Sequence, residues 1–215
     1  SVPAGIKDSC LLIVTGQNMV PFYKTIHFGN VEDAFMTTGE IVFDDSAGNG
    51  NGVPDYGELV DLKVTVKNIG RARTSKLTAL LTVTSGMITV EADTATIGVL
   101  LPGESATISG KCIFRVSDSV EDGELASLLL TLKDSGEDYK FGIDMTLLAP
   151  SLIIVSAIHD DSSTGNSNFL PDPGESLQLR IRVKNEGSSA ATGTVTLTPA
   201  GPYLSIEDPQ LPIDT

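Results

Sequence analysis

From Leu62 to Lys67 the chain alternates strictly, with Leu62, Val64 and Val66 on one side and Lys63, Thr65 and Lys67 on the other. A period of two places these sets on opposite faces of a strand. The same logic predicts strands near Glu40 to Asp44, Val60 to Lys67, Leu77 to Thr84, Thr94 to Val99, Ala106 to Val116, Leu125 to Leu132 and Phe141 to Leu147. In the fifth of these, Cys112, Phe114 and Val116 share one face, and Ile113, Arg115 and Ser117 the other. Clusters of Gly, Asn, Asp and Pro separate the runs, and long amphipathic helical patterns are hard to find. The pattern predicts an all-β chain.

Seven strands in roughly 115 residues is the size and spacing of an immunoglobulin-like sandwich. The pattern then repeats. PDYGELVDLKVTVKNIG at Pro54 to Gly70 returns as PDPGESLQLRIRVKNEG at Pro171 to Gly187, a gap-free offset of 117. The pairs Asp44–Asp45 and Asp160–Asp161 stand 116 apart, so the second polar loop is one residue longer. Two copies of one sandwich are expected, residues 30–149 and a partial second at 150–215, with a joint at Ala149 and Pro150 and almost no linker. Residues 1–29 fit neither copy; DSCLLIVTG and PFYKTIHFG read as two strands that end another β-domain upstream.

The second copy has candidate strands at Leu152 to Ile158, Leu177 to Lys184, Gly193 to Thr198 and Tyr203 to Ile206, which is short of a sandwich. Its open edges and uncovered apolar face imply a longer polypeptide, or cover from another chain or from the opening segment. A protein partner or self-association through that edge is thus expected. The start at Ser1, with neither Met nor a charged-then-apolar segment, carries no signal peptide and reads as cut.

Charge narrows the partners. At a net −14 and a pI near 4.3, phosphate surfaces repel the chain, so nucleic acid and anionic lipid are disfavoured and cations favoured. No apolar run approaches the roughly 20 residues of a membrane span. Cys10 and Cys112 both lie in apolar runs, so they are read as buried thiols; a bridge between them would suit an oxidising compartment.

The first polar loop offers oxygen donors at Asp44, Asp45, Asn49, Asn51, Asp55 and Glu58, with Gly48, Gly50 and Gly52 between them. Calcium takes six to eight hard oxygens from a backbone flexible enough to wrap it, which makes this a candidate calcium site. The second loop keeps Asp160, Asp161, Asn166, Asn168, Asp172 and Glu175, but Phe169 stands where the first has Gly52, so a bend needing positive φ would be strained there. The rival reading is a long turn whose Asp and Asn side chains cap their own backbone. PDYGE, PDPGE, LPGES and the VKNxG ends are read as turns, with Gly57 and Gly174 in the left-handed region.

No catalytic residue is assigned. Neither Cys10 nor His27 comes with a nucleophile motif or an oxyanion-forming turn, and His27 and His159 read as partly buried strand residues. Paired acids for glycoside hydrolysis want an aromatic-lined cleft, and the chain has no Trp and four Tyr.

SCLLIVTGQNMVPFYKTIHF resembles the closing strands of the immunoglobulin-like domain behind the catalytic domain of gingipain-type cysteine peptidases. The DDSxGNxNGxPDxGE loop with its VKNxG strand end resembles CARDB-like and immunoglobulin-like modules found behind such peptidases in secreted bacterial proteins. That likeness implies a secreted or cell-surface location, an upstream catalytic domain in the same polypeptide and an accessory, stalk-like role. The family's catalytic motifs have no counterpart here. The alternative is an extracellular adhesin or a module that binds protein or glycan.

Overall fold

The computed structural model describes residues 9–15, 22–27 and 32–214, with strands and no helix among them. A first hairpin pairs β1 (Ser9–Val14) with β2 (Phe22–His27) in antiparallel register. The side chains of Cys10 and His27 lie outside the described residues.

The first copy runs through β3 (Met36–Asp44), β4 (Leu59–Asn68), β5 (Leu77–Val83), β6 (Ile88–Ala92), β7 (Thr94–Gly98), β8 (Ser105–Ile108), β9 (Ile113–Val116), β10 (Glu124–Lys133) and β11 (Asp138–Leu147). One sheet has the order β3-β4-β9-β6, with β8 also on β4, and the other the order β11-β10-β5-β7. Between them, Leu62, Val64 and Val66 of β4, Phe114 and Val116 of β9, and Leu128, Leu130 and Leu132 of β10 are at most 1% exposed. Burying each such side chain contributes about 1.5–3 kcal/mol, so this alternating face is what holds the two sheets together. Phe43 meets Phe114 edge to face at 6.4 Å inside the same core.

Two expectations are corrected here. Ala106 to Val116 is two strands, β8 and β9, because Gly110 turns the chain at φ 65° between them. A further strand, β6, lies where the short run Ile88 to Ala92 shows too little alternation to stand out.

The second copy keeps two hairpins. β12 (Leu152–Asp160) pairs with β13 (Gln178–Asn185), repeating β3 with β4, and β14 (Thr192–Thr196) pairs with β15 (Gln210–Asp214). Thr194 opposite Pro212 repeats Thr78 opposite Thr96, so this hairpin stands for β5 with β7 at an offset of 116. The strand expected at Tyr203 to Ile206 is absent, and Tyr203 is 96% exposed. Pro209 and Pro212 hide β15 from a pattern reading, since proline is tolerated in a sheet only at an edge or a strand start. Leu179 is 50% exposed where its counterpart Leu62 is 0%, as expected for an uncovered apolar face.

Candidate functional site: two matched polar loops and the joint

Each loop leaves the end of one strand and re-enters at the next, β3 to β4 in the first copy and β12 to β13 in the second. In the first, Asn49 and Asn51 use their side-chain oxygens to accept the amides two residues on, Asn51 N at 2.9 Å and Val53 N at 2.7 Å. These are Asx turns, which need no partner outside the loop. Their amide groups then converge on one carboxylate oxygen: Asn49 Nδ2 and Asn51 Nδ2 both donate to Asp55 Oδ2, the latter at 2.9 Å. Asp45 Oδ2 accepts from Gly52 N at 3.0 Å. Glu58 straddles the loop, taking Asn49 N on one oxygen (2.9 Å) and Asp55 N on the other (3.1 Å).

The second loop rebuilds this network partner for partner. Asn166 and Asn168 accept Asn168 N (3.0 Å) and Leu170 N (2.7 Å) and donate to Asp172 Oδ2 (2.7 and 2.9 Å). Asp161 Oδ2 takes Phe169 N at 3.0 Å, and Glu175 takes Asn166 N and Asp172 N at 2.8 and 3.1 Å. The extra residue is absorbed in the first turn, where Gly165 N reaches Asp161 O and Gly48 N reaches Asp45 O across one residue fewer. A Cβ on Gly48 or Gly165 would sit 2.3 or 2.1 Å from the bridging glutamate's Oε1, so a side chain there would push the glutamate off its two amide bonds.

Backbone conformation is repeated too. Gly50 and Gly52 have φ of 72° and 81°, and Ser167 and Phe169 both hold 61° in their places. The strain expected at Phe169 is present, and Ser167 shares it. Gly57 and Gly174 take the left-handed conformation expected of them. Asp44 and Asp160 stand outside the network: each caps the amide two residues on, and they pair with Lys63 and with Arg180 (3.0 Å) respectively. Lys63 and the Ser46 donors lower the Asp44 carboxyl to about 2.

All twelve sequence-predicted donors therefore gather in two equivalent loops. Among the described residues, no three His, Cys, Asp or Glu side chains are arranged to hold a metal between them. Asp45, Asp55 and Asp161 are 3%, 1% and 0% exposed, and Asp55 Oδ1 and Asp161 Oδ1 have no hydrogen-bond partner. His159 is a half-buried strand residue whose Nε2–H donates to Phe169 O at 2.8 Å. Cys112 is a buried free thiol, pushed up to about 11 by desolvation, which makes it a poor nucleophile.

The first loop also reaches the joint between copies. Leu148, just after β11, exchanges backbone hydrogen bonds with it: Leu148 N to Pro54 O at 3.1 Å and Tyr56 N to Leu148 O at 2.9 Å. Asp122 spans the two copies, with Oδ1 accepting Ala149 N (3.1 Å) and Oδ2 accepting Ser188 Oγ–H (3.0 Å). On the far side, Asn185 Oδ1 accepts Ser151 N at 3.0 Å, and Glu186 N donates to Ser151 O at 2.7 Å. Tyr56 OH donates to Ala190 O at 3.4 Å, beside an open cleft of about 520 Å³ that Asn49, Glu58 and Arg115 also line. Sequence reasoning missed this clasp, and Asp122, in a plain turn with no repeat counterpart in view, offered no signal.

In the first copy, the order β3-β4-β9-β6 corresponds to strands A, B, E and D of an immunoglobulin-like sandwich, and β5, β10 and β11 to C, F and G. No protein family description and no curated protein match the chain. Among solved structures it is similar to a C-terminal portion of native alpha-2-macroglobulin from Escherichia coli, at 14% identity and a TM-score of 0.43 over 62% of this chain and 20% of that one. A Salmonella alpha-2-macroglobulin variant matches at 12% identity and 0.39, over 66% of this chain and 9% of that one. A family 123 glycoside hydrolase from Clostridium perfringens matches at 11% and 0.29, over 54% of this chain and 27% of that one. This chain thus spans a small part of each, and its strand order remains the basis for the class.

Proposed function

We propose that these tandem modules are a non-catalytic spacer in a secreted or cell-surface protein, holding a neighbouring domain at a set distance and orientation. The observation that carries this reading is the clasped joint. Residues 148–151 are held from one side by Pro54, Tyr56 and Asp122 and from the other by Asn185, Glu186 and Ser189, and Asp122 also bonds Ser188 across the joint, which leaves little freedom between copies. A polymeric linker would instead be long, polar and free of such contacts. The loop resemblance to modules behind gingipain-type peptidases supports a peptidase as the upstream neighbour. An adhesin would present its sandwich-end loops to a partner, whereas the first polar loop is occupied with the joint.

Limited proteolysis tests this. The intact protein resists cleavage at residues 148–151, and Asp122→Ala, which removes both of that carboxylate's hydrogen bonds, speeds cleavage there several-fold. Rapid cleavage of the intact protein at those residues contradicts a held spacer.

A further inference from the structure

We propose that each polar loop binds one hard divalent cation of the calcium class, the first through Asp45 and Asp55 and the second through Asp161 and Asp172, with neutral loop oxygens completing the shell. Two observations combine. Asp55 is 1% exposed and Asp161 0%; each directs one oxygen into the loop's hydrogen-bond network, while its Oδ1 is buried without a partner. Buried carboxylates are ordinarily ion-paired, fully hydrogen-bonded or metal-bound. Among the described residues no ion pair reaches Asp45, Asp55 or Asp161. Arg115, which lines the first loop's cleft, spends its guanidinium on Glu91 (2.9 Å) and on Gly57 O (3.2 Å).

Among the described residues no cationic side chain supplies the positive charge that these carboxylates face, and a bound cation would supply it. Its chemistry is set by oxygen-only donors on an irregular glycine- and asparagine-rich backbone, which suits calcium's flexible coordination better than the strict octahedron of magnesium. A net charge of −14 adds long-range attraction for any cation. In the first loop the ion would also brace the joint, because Asp55 bridges Leu148 through its backbone. The inference stands apart from the spacer reading, since a spacer can be clasped without metal.

Equilibrium dialysis of the whole chain against calcium, after chelator treatment, reads the number of ions bound. Two per chain are expected, falling to one in Asp55→Asn and to one in Asp161→Asn. Terbium luminescence on the unaltered protein needs no variant: Tyr56, adjacent to Asp55, sensitises bound terbium, and calcium competes the signal away. No calcium bound at millimolar concentration, or binding that both variants leave at two ions, overturns the proposal. Absence of tyrosine-sensitised terbium emission overturns it for the first loop.

Discussion

Phe169 occupies a backbone conformation that its counterpart Gly52 takes at little cost, and its side chain is 65% exposed, so packing returns little for the strain. Left-handed φ in a bulky residue costs on the order of 1–3 kcal/mol, partly offset by the backbone entropy glycine loses on folding. Phe169→Gly should therefore stabilise the second copy by about 1 kcal/mol, read as a higher denaturant midpoint; an unchanged or lower midpoint refutes the strain. The site was foreseeable because the repeat supplies its own reference: Gly in one copy specifies the φ the other must adopt. Gly187 illustrates what was hidden. A Cβ there would lie 2.3 Å from Ala149 O and 2.4 Å from Ser151 N, and one on Gly70 meets Asp33 O and Phe35 N at 2.2 and 2.4 Å. Both glycines read as strand-end turns in sequence, yet they make room for the chain entering each module, a long-range contact no local pattern encodes.

The β3–β4 and β12–β13 hairpins were the most readable elements, since the alternation of β4 and β13, the turn glycines and the gap-free repeat from Pro54 to Gly70 all agree on them. β6, β15 and the break between β8 and β9 were not, because short strands, strand prolines and a turn inside an apolar run weaken the period-two signal. Hairpin electrostatics carry a separate expectation. Lys63 on β4 holds the Asp44 carboxyl at the end of β3 to about 2, from an ordinary value of 3.8. A depressed folded value means that the stabilisation is complete above the ordinary value and is lost as pH falls toward 2. Urea midpoints measured from pH 5 to pH 2 should fall less steeply for Asp44→Asn than for the native chain. Parallel falls in the two proteins would show that the pair contributes nothing to that window.

Two copies of one loop, sharing the same Asn, Asp and Glu hydrogen-bond network, serve different surroundings in the chain. The first is covered by Leu148 and faces Ala190, leaving Asp55 at 1% exposure; Asp172 in the second is exposed. The repeat and the open apolar face of the second copy were readable from sequence, whereas the clasp at Asp122 required the fold. Its carboxyl is lowered chiefly by the Ala149 amide bond, so acid that protonates it weakens the hold between copies. The most direct measurement of the central claim is small-angle scattering from the whole chain at neutral pH. A held spacer predicts an extended particle with two resolved modules at a fixed separation and no signature of flexibility. A single compact globule, or the broad average of two freely tumbling modules, would contradict it.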